Sequence, residues 1–218
     1  MKTRILILLL VCLFVNKQFY AQSIIEPKHT FNIEVGMPVS MKNKVFKWMM
    51  QGIVNTSGYY QYRFPSNLAV GAGVNFSLFN VNIYRVVPSV KGTMNTLGGF
   101  VKLSYEKFYS ETFGIDAGLK LGYGKTTFKD SLVAIDHGGN RSYSINALSL
   151  TPTVSFKLMA DNANAFSFTI GYSLQDFNFY PGRLGYSPQG YSGADFQGST
   201  QFLSVGFGYT HYIGRIAD

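Results

Sequence analysis

Phe113-Gly114-Ile115-Asp116-Ala117-Gly118-Leu119-Lys120-Leu121-Gly122-Tyr123-Gly124 is the stretch that decides the fold. Every odd position is apolar, and every even position is glycine or charged. A period of two is a strand, with one face in an apolar phase and the other in a tight polar space. Soluble sheets bury the apolar face and show mixed polar groups to water, seldom so many glycines. A strand with lipid on one side and a narrow polar interior on the other needs this pattern.

The pattern recurs. Eight alternating segments are expected at 30–37, 53–64, 68–80, 95–107, 112–125, 143–158, 164–177 and 200–212. A tilted strand crosses a bilayer in about 9–11 residues, so all suffice except the first, which is marginal. Leu68, Val70, Ala72, Val74, Phe76 and Leu78 form one outward row, and Phe166, Phe168, Ile170, Tyr172 and Leu174 another. The alternate rows carry glycine, serine, threonine and asparagine, which suits an eight-stranded barrel filled by its own side chains. Pro152 points outward within the sixth segment and removes a ladder donor, so it argues against a strand there.

Short connections at 65–67, 109–111 and 160–163 alternate with long ones at about 38–52, 81–94, 126–142 and 178–199. Membrane barrels have short periplasmic turns and long external loops, with both chain ends in the periplasm when the strand number is even. Aromatic residues gather near strand ends: Tyr59, Tyr60, Tyr62, Phe64, Tyr105, Phe108, Tyr109, Phe113, Tyr123, Phe177, Phe179, Tyr180, Tyr209 and Tyr212. That position fits an interfacial girdle. The fold expected is all-β: an eight-stranded antiparallel up-and-down transmembrane β-barrel. A soluble lipocalin-like barrel would turn its apolar rows into a cavity, and the glycine-rich rows are too small for its outer surface.

Residues 1–21 read as a signal peptide, with Lys2 and Arg4 before the apolar run Ile5–Val15 and cleavage after Ala21. The run is too short to span a bilayer, and Asn16-Lys17-Gln18 breaks it. Cys12, the single cysteine, lies inside it; Val11 precedes it, against a lipoprotein signal. Residues 22–218 are expected to be one barrel domain without thiol chemistry. Lys2, Arg4 and Lys17 leave with the signal, so 16 basic residues face 11 acidic ones, a net charge of +5. A basic exported surface suits anionic lipid and lipopolysaccharide. Scattered basic residues and export argue against nucleic acid.

The chain from 22 onward resembles the small eight-stranded outer-membrane barrels of the OmpA/OmpX-like class. Its Ala21-Gln22 junction and Tyr/Gly/Asn-rich strands are similar in tone to those of Bacteroidota. In the last strand Ser204, Gly206 and Tyr209 stand at the polar, glycine and first aromatic places of the signal read by the barrel-assembly machinery. His211 replaces the second aromatic, and the chain runs on to Asp218. The resemblance implies an outer-membrane location and architecture, and one fold hosts many functions.

Seven charges are expected to face inward: Glu34, Arg63, Lys102, Glu106, Asp116, Lys120 and Lys157. The fourth and fifth strands form a hairpin, so Lys102 and Asp116 are expected opposite or diagonal. Enclosed charges must be paired or wet. They form a polar plug or, alternatively, the filter of a narrow solute channel.

Loop candidates are few. Asp136-His137, with Ser131 and Ser142 nearby, is a candidate for lipid A-modifying acyl chemistry, but sequence proximity does not bring base and hydroxyl together. His29 and His211 become neighbours if the first and last strands pair, but two histidines make a poor metal site. Gly118, Gly124, Lys125 and Thr126 imitate a phosphate loop, with the wrong spacing and no helix after it. Val45, Trp48 and Met49 fall at helical spacing, as an interfacial helix or as a segment folded over the mouth. Trp48, Tyr186 and Tyr191 are candidate loop contacts. The function expected is structural or surface-interacting and non-catalytic, without cofactor or metal; a channel and a lipid A-modifying enzyme are the alternatives.

Overall fold

In the computed structural model, eight antiparallel strands close on themselves in chain order. Residues 28–86, 91–130, 142–184 and 193–214 are described. The strands are β1 (His29–Lys42), β2 (Met50–Arg63), β3 (Leu68–Val81), β4 (Gly92–Phe108), β5 (Phe113–Asp130), β6 (Ser142–Met159), β7 (Asn164–Asn178) and β8 (Ser199–Ile213). β1 pairs with β8 from His29↔Ile213 to Lys42↔Gln201, which removes the sheet edges.

Inward and outward rows follow the alternation. Phe31, Ile33, Val35, Met37, Val39 and Met41 stay exposed on β1, as do Leu119, Leu121 and Tyr123 on β5. β1 is longer than expected by its loop-end residues: the outward alternation simply continues through Met41. The expected long loop at 38–52 is therefore only Asn43 and a short helix, α1 (Lys44–Met49).

The prolines act where they lack a donor. β5–β6 pairing is unbroken at Leu119↔Pro152, whereas β6–β7 pairing skips from Leu150↔Leu174 to Thr153↔Gly171. The missing N–H thus falls on the β7 side, and a Thr151 Oγ1–Ser173 Oγ contact of 2.9 Å spans the gap. β6 persists despite Pro152 because one ladder suffices to hold it. Likewise β1–β2 pairing ends at Gly36↔Asn55, while β1–β8 pairing runs on through Pro38↔Ser204.

At one end the strands join through tight turns. Asn67, at φ 64°, closes the β2–β3 turn, and its N–H bonds to the Phe64 carbonyl at 3.0 Å. Asp161 accepts from the Asn164 side chain and from the backbone N–H groups of Ala163 and Asn164 in the β6–β7 turn. Those bonds, the Asn164 side chain first, hold its carboxyl below the ordinary aspartate value. The other end carries α1 and two short 3₁₀ turns, Pro181–Leu184 and Gly193–Phe196.

Eight strands leave little room inside. Gly98 and Gly124 face each other across β4–β5, and a Cβ on Gly98 would lie 2.8 Å from the Gly124 Cα. Gly98→Val should lower the unfolding midpoint in detergent by overpacking worth about 1–3 kcal/mol. A heat-shift gel and urea titration would read it; an unchanged midpoint would mean slack where the barrel is drawn tight.

Candidate functional site

The lumen has two storeys. Towards the turn end, seven charges enter from five strands: Glu34, Arg63, Lys102, Glu106, Asp116, Lys120 and Lys157. Glu106 and Asp116 are wholly buried, and Lys102, Lys157, Lys120 and Arg63 nearly so. Lys102 Nζ lies 2.9 Å from Asp116 Oδ2, Lys157 Nζ 2.8 Å from Glu106 Oε1, and Lys120 Nζ 2.6 Å from Glu34 Oε2. Arg63 sits 5.8 Å from the Phe108 ring centroid.

Neutral residues stitch the pairs together. Gln61 Nε2 donates to Glu106 Oε2 at 3.0 Å and to Asp116 Oδ2 at 3.1 Å. Tyr59 donates its hydroxyl proton to Glu34 Oε1 at 2.7 Å and accepts from Lys102 Nζ at 3.1 Å. Tyr212 donates to Glu106 Oε1 at 3.0 Å. Lys102 and Lys120 also approach the Tyr59 ring, at 4.8 and 4.9 Å from its centroid.

The register corrects the expected hairpin geometry. Lys102 stands opposite Lys120, and Glu106 opposite Asp116. Like charges share a level, so Lys102 reaches along β5 past Gly118 to Asp116, while Lys120 turns to Glu34 on β1. The lysine stem is long enough for this, which simple opposite-or-diagonal pairing ignores.

Tyr59 and Tyr212 correct the girdle. Both are almost fully buried inside, as are Phe177 and Phe179. The parity they share with inward neighbours (Tyr59 with Gln61 and Arg63, Phe177 with Gln175) was the available signal. Aromatic character alone pointed them outward.

The upper storey is apolar. Met50, Phe79, Met94, Phe128, Phe177 and Phe202 converge from β2, β3, β4, β5, β7 and β8. Val45, Phe46 and Met49 of α1 are fully buried on top of them. Phe46 lies 5.2 Å from both Phe79 and Phe179, ring to ring. Asn43, at φ 68°, caps α1: its side-chain oxygen accepts from Phe46 N at 3.0 Å. Its amide nitrogen donates to the carbonyls of Phe179 and Phe196, both at 3.2 Å. Lys44 bonds Asp195 at 2.9 Å. The helix therefore folds over the mouth rather than lying beside the rim. Trp48 is half-buried against the same core, so it packs more than it presents.

Of the remaining candidates, Ser131, Asp136, His137, Tyr186 and Tyr191 lie outside the described residues. His29 and His211 do come together on paired strands, but His29 bonds the Tyr60 hydroxyl and His211 bonds Asn164. Among the described residues, no group of three or more His, Cys, Asp or Glu could hold a metal. Gly124 and Lys125 sit within strand β5, where no phosphate-cradling loop exists. The β3–β4 connection supplies a surface not anticipated: Asn82 Oδ1 accepts from Tyr84 N, and Tyr84 is 90% exposed beside exposed Ile83.

No family model and no curated protein matches the sequence. Solved structures do. Neisserial surface protein A aligns at TM-score 0.53 and 8% identity, over 85% of this chain and 97% of that one. The attachment invasion locus protein Ail of Yersinia pestis aligns at TM-score 0.47 and 15% identity, over 85% and 99% of the two chains. OprG of Pseudomonas aeruginosa aligns at 0.48 and 15%, over 85% and 97%.

Asp116→Ala would strand Lys102 in a dry interior and should cost about 3–5 kcal/mol of folding free energy in detergent. Lys102→Met combined with Asp116→Leu should recover most of that loss. If the single change cost nothing, the charges would be hydrated rather than paired. Eight antiparallel strands closed in chain order give the protein the fold of the small eight-stranded outer-membrane barrels.

Proposed function

We propose that the protein is a non-catalytic outer-membrane barrel that acts at the cell surface through its loop end. The observation that carries this reading is the sealed lumen. Its loop end is filled by packed aromatic and methionine side chains, and its turn end by paired charges. The lumen therefore serves as a rigid internal plug, and the chemistry open to partners lies outside it. The long apolar outer rows suit lipid, and the tight turns suit the periplasmic side. Among the described residues, Ile83, Tyr84, Tyr180 and Lys47 are exposed loop-end groups offered to a partner. Its membrane partners are outer-leaflet lipid and lipopolysaccharide, and during biogenesis the assembly machinery that reads β8. The same packing weighs against the solute channel, since a passing solute would have to displace α1 and the core beneath it.

The purified chain, reconstituted in planar bilayers, should show no conductance steps above the lipid baseline. In SDS it should run faster unboiled than boiled. In intact cells carrying Tyr84→Cys, a membrane-impermeant maleimide should label the loop. Reproducible conductance steps would favour the channel; absence of labelling together with carbonate extraction would remove the protein from the outer membrane.

A further inference from the structure

The outer wall carries a groove of about 820 Å³ from β3 across to the first residue of β8, Ser199. One bank is Val101, Leu121 and Leu150, which are consecutive partners in the ladder. The other bank is Tyr123 and Leu148, interrupted by Gly99, which has no side chain and faces outward between Leu97 and Val101. The floor is the intervening inward row, of which Gly122 contributes only backbone. A volume in the range of about 300–1,000 Å³ holds a whole small molecule rather than a stray methyl group.

Just above the groove, β5 changes character. Beyond Tyr123 its outward positions are Lys125, Thr127 and Lys129, and both lysines are exposed. Their ladder partners are Leu97 and Asn146 for Lys125, and Thr93 and Ser142 for Lys129. None is acidic. A strand rises about 3.3 Å per residue, so the two lysines start roughly 13 Å apart and Lys125 only about 7 Å above Tyr123. Cations at that height meet lipid phosphates while the groove meets the tails. Two separated cations match two separated phosphates better than the single phosphate of an ordinary phospholipid. Asp176, at the far end of the groove, is the opposing charge.

We propose that the β4–β6 wall binds a bisphosphorylated, multiply acylated lipid of the lipid A type, its tails in the groove and its phosphates at Lys125 and Lys129. This rests on the reading that the loop end faces outward.

Native mass spectrometry of the folded full chain in detergent tests it. The probes are bisphosphoryl lipid A, monophosphoryl lipid A and phosphatidylglycerol. The wild-type chain should retain the bisphosphorylated lipid about tenfold more than the other two, the attraction expected of two interfacial lysines. Lys125→Gln with Lys129→Gln should abolish that preference, and Gly99→Leu should reduce retention by filling the groove. Asp176→Asn should change it in the opposite direction and raise it. All four positions face outward, and an unchanged heat shift in SDS shows that each variant folds. Equal retention of the three lipids by the wild-type chain would overturn the proposal without any variant, as would a preference that survives the double lysine change. If Tyr84→Cys is labelled from outside and no preference is seen, the lipid site alone fails; if it is not labelled, the orientation beneath it fails.

Discussion

A backbone amide in hydrocarbon has no water to bond, and an unpaired one costs several kcal/mol. That constraint lies beneath every other feature of this chain. It requires β1 to meet β8, and the two are paired along nearly the whole of β1. It also explains why proline is tolerated where it is. Pro38 and Pro152 each leave one ladder intact, and a side-chain contact bridges the gap that Pro152 makes.

Closure with only eight strands then governs the interior. The walls are so near each other that glycine is needed where strands β4 and β5 approach. The remaining space must be filled without leaving charges dry and alone. Towards the turn end this is met by lysine–carboxylate pairs tied together through Gln61, Tyr59 and Tyr212. Towards the loop end it is met by an aromatic core with α1 as its lid. The same chain therefore shows apolar residues to the outside along its middle and to the inside at its loop end. Two opposite polarities on one molecule give α1 a packed apolar floor, among the described residues, instead of an open mouth.

Much of this was legible in the alternation itself. Phe113–Gly124 assigns inside and outside correctly, and the parity of the charged residues placed all seven in the lumen. What the alternation could not give was axial reach. Lys102 and Asp116 do pair as the hairpin suggested, but register sets Lys102 opposite Lys120, and the lysine stem spans the offset to Asp116. The apolar cap was hidden for a different reason. Phe79, Phe128 and Phe202 lie on inward positions at the loop ends of three strands, and a period-two pattern has no means of saying that the interior changes character along its length. The helix over the mouth was ambiguous because amphipathic spacing is the same whether the apolar face meets lipid or a core; its position was decided by Asn43, whose amide ties α1 to the carbonyls of Phe179 and Phe196.

The alternating apolar rows face lipid, and their glycine-rich counterparts face a sealed lumen. Trp48 is the single tryptophan of the chain, so a Trp48→Phe background carrying Leu121→Trp gives one reporter on the outer row. Its fluorescence in vesicles containing brominated phospholipid is the most direct measurement. Strong quenching by the brominated chains, with little by aqueous acrylamide, is the expected result. Efficient acrylamide quenching with no effect of bromine would contradict the fold's orientation of inside and outside, and with it the reading of the whole chain.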